Sequence, residues 1–205
     1  RVVVSQLARS FGAYFTVSMS RGRKTFGAKI IPSRGAWIEF DTESDGTIYA
    51  RIDRKRKIPA TALLRIFGLH TNEEILEAFK DVDNGSTVFI KRTLEKDPSK
   101  DLDSAYIELF KRIRQGELAT IDNAKDLLGI MFKSERYDIS SVGRYKLTQR
   151  LPNLAKKKEG SRVLEREDLV EIISEIIRLN NNPQAVPDDI DNLGNRRIRS
   201  VGEML

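Results

Sequence analysis

The sequence predicts an α+β fold: a mainly antiparallel N-terminal sheet followed by a helical half, in a single domain. Three observations predict it. β-branched and aromatic runs separated by turn residues fill the first sixty positions. Helix-start and helix-stop signals begin at Pro59 and recur as far as Asn180. The length of 205 residues fits between one and two domains and buries roughly 70% of the unfolded surface.

The β-branched start of RVVVSQLARS predicts a first strand, and Tyr14 to Val17 a second. Arg21-Gly22-Arg23-Lys24 reads as a turn, Phe26 to Ile31 as a strand, and Pro32-Ser33-Arg34-Gly35 as the next turn. Ala36 to Phe40 continues the sheet. Asp45-Gly46 marks a hairpin before the alternating run Thr47 to Ile52. Pro59 suits a helix start, Ala60 to Phe67 its body and Gly68 its end. Thr71 to Glu74 fits a capping box, with Ile75, Leu76 and Phe79 as the apolar face. Asp83-Asn84-Gly85-Ser86 breaks that helix, and the β-branched stretch Thr87 to Lys91 predicts a short strand. Helices follow over Leu102 to Arg114 and Ile121 to Phe132. Arg166-Glu167-Asp168 opens the clearest helix, whose Leu169, Ile172, Ile173, Ile176 and Ile177 form one stripe until Asn180 to Pro183 stops it.

Composition excludes several chemistries. The chain has no Cys, which removes disulfides, thiol catalysis, iron–sulfur clusters and zinc ribbons. Its one His, His70, precedes a capping box and reads as a local hydrogen-bonding residue rather than a ligand. No P-loop, nucleophile elbow or kinase set is present. No stretch reaches the ~18 apolar residues of a membrane span. The chain begins on Arg1 and is expected to be a segment of a longer protein.

The net charge is +6, and its placement is uneven. Residues 1–60 carry 12 Lys/Arg against 5 Asp/Glu, whereas residues 61–205 carry 24 against 25. The surplus fits a face for a polyanion or an ordinary basic surface, and charge alone does not separate the two. Arg51 to Lys57 places five bases in seven residues, suited to phosphate oxygens. Trp37, the only Trp, is either a buried sheet residue or a stacking platform for an unpaired base. As a platform it would contribute roughly 1–3 kcal/mol. The Asp81/Asp83/Asn84 cluster reads as a turn. Asp188/Asp189/Asp191 reads as a magnesium site, as internal pairs with the arginines nearby, or as part of a base reader. In the tail, Asp191 and Arg196 together offer an acceptor and a donor fork to an unpaired base edge.

Five blocks carry a resemblance. RVVVSQLARS, PSRGAWIEF, RIDRKRKIPATALLR, RYDISSVGRYKL and DDIDNLGNRRIRSVGEM resemble the bacterial RNA polymerase β subunit, in the order that family has them. They frame residues 1–205, and the last block is the most specific. The resemblance implies the β lobe, with residues 1–20 and 186–205 joining the protrusion and fork side. The stretch around 80–100 is shorter than in members with a large insertion there.

The resemblance further implies a part of a DNA-directed RNA polymerase, a nucleotidyltransferase, with no catalytic centre and no cofactor in this segment. The enzyme's Mg2+ would be held by another subunit, β′. The lobe would form one wall of the downstream DNA channel and contact the non-template strand. Trp37 matches a residue that stacks on an unpaired non-template base. Arg9, Ile190, Asp191 and Arg196 match a pocket for an extruded guanine, and Asp53, Arg54 and Arg144 match positions near the same strand. Val4 matches the edge of the rifamycin inhibitor pocket. The family's gate-loop arginine corresponds to Glu95, with Arg92 near. Implied partners are DNA (non-template strand and downstream duplex), the β′, α and ω subunits, σ factor and transcription regulators, with no membrane. The implied location is the bacterial cytoplasm, associated with the nucleoid. The competing function is a protein-docking module that binds σ or other regulators rather than DNA.

Overall fold

Strands come first and helices follow in a computed structural model that describes residues 2–155 and 161–205. The elements are β1 Gln6–Arg9, β2 Gly12–Ser20, β3 Arg23–Ile31, β4 Ile38–Thr42, β5 Ile48–Ile52 and β6 Ile58–Pro59. Then come α1 Ala60–Ile66, α2 Asn72–Phe79, α3 Phe89–Lys96, α4 Leu102–Ile113, α5 Ile121–Met131, α6 Ser140–Arg150, α7 Pro152–Ala155 and α8 Arg166–Asn181. The tail adds a 3-10 turn, Leu193–Asn195, β7 Arg196–Arg199 and α9 Val201–Met204.

The antiparallel sheet predicted for the N-terminal part is present, in the order β2-β3-β4-β5-β6. Its first hairpin turns on Arg21 and Gly22, both with positive φ, so Ser20 pairs with Arg23 across a two-residue loop. Gly27 is required by proximity. A Cβ there would lie 2.1 Å from the Phe40 carbonyl oxygen. The Asp45-Gly46 signal makes a longer connection than a two-residue hairpin, since Thr42 pairs with Ile48.

The stripe of α8 closes the core. Leu169, Ile172, Ile173, Ile176 and Ile177 are fully buried, each worth about 1.5–3 kcal/mol of transfer free energy. They join Phe15, Ile38 and Phe40 from the sheet and Leu63, Ile75 and Leu109 from other helices in one cluster. The Thr71 capping box forms as the spacing predicts.

Two expectations are corrected. Residues 2–5 of the opening run lie outside any strand; pairing starts at Gln6, where β7 supplies a partner. Arg1 lies outside the described residues. Thr87 to Lys91 is not a strand: helix α3 begins at Phe89. Asp83 accepts the Phe89 and Ile90 amides at 2.8 and 2.9 Å, capping donors that a helix start leaves free. Ser140 to Arg150, for which the sequence predicts no element, forms α6. Its inward positions are Gly143, Arg144 and Leu147, so the apolar periodicity is hidden by a buried arginine.

Candidate nucleic-acid interface

The two chain ends meet. β1 pairs antiparallel with β7, setting Arg9 opposite Arg196 and Gln6 opposite Arg199. The Ser10 amide donates to the Asn195 carbonyl at 2.9 Å and extends the ladder. Like charges facing each other across strands cost stability. Here Arg196 turns to Asp191, its Nη2 donating to Oδ1 at 2.6 Å. Arg196 is about one-third exposed at its side chain and Asp191 78% exposed, so the pair faces solvent.

A local scaffold shapes that pair. Asn192 Oδ1 accepts the Gly194 amide at 2.9 Å and starts the 3-10 turn. Asp189 Oδ1 accepts the Asp191 amide at 3.1 Å, and Asn195 Nδ2 donates to the Asp189 carbonyl at 2.7 Å. From α6, Lys146 Nζ donates to the Gly194 carbonyl at 2.6 Å and to Asn195 Oδ1 at 3.2 Å. Burial pushes the Lys146 ammonium below its ordinary pKa. Asp188 anchors the loop to the sheet: its carboxylate accepts the Phe15 amide at 2.9 Å and Arg150 Nε at 3.0 Å. Between β2, α6 and this loop lies a cleft of about 450 Å³. Ile190 is half-buried in the loop, within one residue of Asp191.

A second group forms where β4 and β5 end. The Asp53 amide donates to the Trp37 carbonyl at 2.9 Å, one step beyond the Ile38–Ile52 pair. Asp53 and Arg54 both hold positive φ, at 50° and 56°. For residues with a Cβ this costs on the order of 1–3 kcal/mol each. The turn lifts Arg54 over Trp37, its guanidinium 5.7 Å from the ring centroid. Trp37 is half-buried, intermediate between the two readings of the sequence.

The basic run divides its charges. Arg51 pairs with Asp41 at 3.4 Å, and Lys57 pairs with Glu43 and lies over the Tyr49 ring. Lys55 and Arg56 are exposed and form no ion pair among the described residues. Arg54, over the Trp37 ring, likewise forms no ion pair among the described residues.

Other expected residues fall elsewhere. Arg144 is 4% exposed and turned inward. Its guanidinium holds both Asp168 oxygens at 2.6 and 2.9 Å and the Ser161 and Val163 carbonyls at 2.6 and 2.8 Å. It locks α6 to the first turn of α8 and joins neither exposed group. Val4 is exposed, ahead of β1. Glu95 is exposed on α3, whose Arg92 donates to the Asp45 carbonyl and whose Lys96 pairs with Asp45. His70 makes local bonds, its amide to Glu74 at 2.7 Å and its ring Nδ1 3.2 Å from the Arg65 carbonyl. Each carboxylate of the tail cluster has a partner within the chain, Asp188 in Arg150, Asp189 in the Asp191 amide and Asp191 in Arg196.

Sequence reasoning did not find Lys146. Its only signal is position, inside the block RYDISSVGRYKL, and nothing in a lone helical Lys shows that its ammonium will be spent on two oxygens of the 194–195 turn.

Comparison of the sequence with known proteins shows the family. The family model of RNA polymerase Rpb2, domain 2, matches residues 9–199. The chain is 46% identical over 210 residues to the DNA-directed RNA polymerase subunit beta of Dehalococcoides mccartyi. It is 47% identical over 208 residues to that of Syntrophomonas wolfei and 40% over 236 residues to that of Chloroflexus aggregans. Each match covers the whole chain but only 16%, 18% and 19% of the respective relative.

Proposed function

The chain belongs to the RNA polymerase Rpb2 domain 2 family, and from that premise we propose that it is the lobe of a bacterial RNA polymerase β subunit. In this reading it forms part of the downstream DNA channel and contacts the non-template strand during DNA-templated RNA synthesis. The observation that supports it most is the exposed Arg196–Asp191 pair, held beside Arg9 by the joined chain ends.

An unpaired guanine offers O6 and N7 as acceptors and N1 and N2 hydrogens as donors. One Arg grips the adjacent O6 and N7 acceptors and one Asp the adjacent N1 and N2 hydrogens, whereas adenine, with its N6 donor beside N7 and N1, has neither pair. An ion pair this exposed is worth about 0–1 kcal/mol, so a base edge opens it at little cost. Ile190 supplies an apolar neighbour. Trp37 stacks an unpaired base, with Arg54 and Asp53 beside it. Lys55 and Arg56 add attraction for phosphates without reading sequence. Arg144 serves as a positioning residue: by fixing α6 it fixes Lys146, which holds the turn before Arg196. Val4 borders the inhibitor pocket.

Nucleotidyl transfer belongs to the assembled enzyme, with its Mg2+ held by another subunit and no cofactor in this segment. The partners are DNA, β′, α, ω and σ, in the bacterial cytoplasm at the nucleoid. No helix among the described residues is long and apolar enough to cross a membrane.

The test is a promoter carrying 2-aminopurine at successive non-template positions in complex with the full polymerase. Stacking quenches this base. Trp37→Ala raises its fluorescence at one position in the open complex. Unchanged fluorescence at every position overturns the stacking role.

A further inference from the structure

We propose that the outer edge of β2 around Val17 and Met19 is a docking site for an extended, acidic peptide segment of a partner protein. The backbone fixes which groups are free. β2 is the outermost strand of its sheet. In an antiparallel pair, alternate residues turn their N–H and C=O away from the neighbour. Phe15 is one of these, because its amide donates to Asp188 Oδ2 and its carbonyl accepts the Asp188 amide, both at 2.9 Å. The same parity shows across the hairpin. Phe26, the partner of Val17, sends its amide away from β2 to Asn180 Oδ1 at 3.0 Å. Val17 and Met19 therefore direct their backbone groups outward from the sheet. Among the described residues, no backbone bond beyond the hairpin engages them.

The side chains define what fits. Val17 is 40% and Met19 72% exposed, on the face that Phe15 buries further along. The opposite face is polar, with the Ser18 and Thr25 hydroxyls 3.0 Å apart. A docking strand thus places apolar side chains on one face and polar ones on the other. Its charge follows from the hairpin. Residues 1–38 contain seven Lys/Arg and no Asp or Glu. Arg21 and Arg23 are exposed at the tip. Asp188 already uses this edge in the same way, as an acidic residue bonding the backbone of β2. A bare edge with apolar side chains favours pairing with a strand, which nucleic acid does not supply.

The test titrates the full 205-residue chain with a fluorescein-labelled nine-residue peptide alternating Val and Glu, read by anisotropy. Met19→Pro removes one outward N–H and leaves the Ser18–Thr25 pairing to β3 in place. The expected result is saturable binding, weakened at least tenfold by Met19→Pro and by the double change Arg21→Glu/Arg23→Glu. The double change lies on the surface and gives the readout should the proline variant fail to fold. A Val/Lys peptide and a Val/Glu peptide N-methylated at alternate amides bind at least tenfold more weakly. The proposal is overturned by no binding, by equal binding of the N-methylated peptide, by insensitivity to both variants, by single-stranded DNA alone binding there, or by the edge pairing only with a second copy of the chain.

Discussion

Arg9 and Arg196 stand directly opposite each other in the two-stranded ladder that joins the ends of the chain. Two cations in that register repel, and the carboxylate of Asp191 at 2.6 Å from Arg196 offsets the repulsion. Asp191→Asn should therefore loosen this ladder alone. Amide hydrogen exchange at Gln6–Arg9 and Arg196–Arg199 is expected to speed up, while global stability changes by no more than about 0.5 kcal/mol. Unchanged exchange in both strands would show that Asp191 does not stabilise the ladder.

Arg144 and Asp168 make the opposite kind of pair, with side chains 5% and 0% exposed. Removing one partner strands a buried charge. Arg144→Met is expected to cost about 3–5 kcal/mol in denaturant unfolding. The double variant Arg144→Met/Asp168→Leu should recover most of that loss, because no lone charge remains. Arg144→Lys should fail to rescue, since a point charge cannot span both carboxylate oxygens.

Lys146 touches the turn rather than any exposed group of the pocket. Lys146→Met should raise hydrogen exchange across residues 189–197 and weaken guanine preference in the assembled polymerase. Stability should fall by only about 0.5–1.5 kcal/mol, the usual worth of a hydrogen bond. A lost preference with unchanged exchange would separate the two effects and remove Lys146 from the scaffold.

Asp45 links the β4–β5 connection to α3 and carries an acid-sensitive contribution. Partial burial favours its neutral form, but hydrogen bonds from Lys96 and the Thr47 amide outweigh that and lower its pKa from 3.8 to about 2. A depressed carboxyl pKa stabilises the fold above the unfolded value and loses this contribution as pH falls through the folded one. The thermal midpoint is expected to drop as pH falls from 3.8 to about 2. Asp45→Asn should flatten this part of the profile. The effect is small because Asp45 and Lys96 are both more than one-third exposed.

The sheet-then-helices order was legible because its signals are local. Turn residues such as Arg21-Gly22 and the stripe Leu169 to Ile177 act within a few positions of themselves. Helix α3 was not legible, since its β-branched start mimics a strand and its cap, Asp83, lies six residues upstream of Phe89. Helix α6 was hidden for a similar reason: Arg144 occupies an apolar slot only because Asp168, twenty-four residues later, neutralises it. Asp191 and Arg196 lie five residues apart, yet composition alone does not single them out; the family resemblance of the tail block does. Arg9 reaches the same place through a ladder that spans the whole chain, which no local pattern carries. Trp37 and the basic run were visible as residue types, while the lift of Arg54 onto the ring depends on two positive-φ residues that neither Asp nor Arg signals.

Guanine recognition by the Asp191–Arg196 pair is tested most directly by open-complex lifetime in reconstituted polymerase. Promoters differing only in guanine or adenine at the unpaired non-template position just downstream of the start site are compared for wild type and Asp191→Ala. The wild-type enzyme is expected to hold the guanine promoter longer, by a factor matching about 1–3 kcal/mol for one bidentate base contact. Asp191→Ala should bring the two lifetimes together. An undiminished guanine preference in Asp191→Ala would contradict the account.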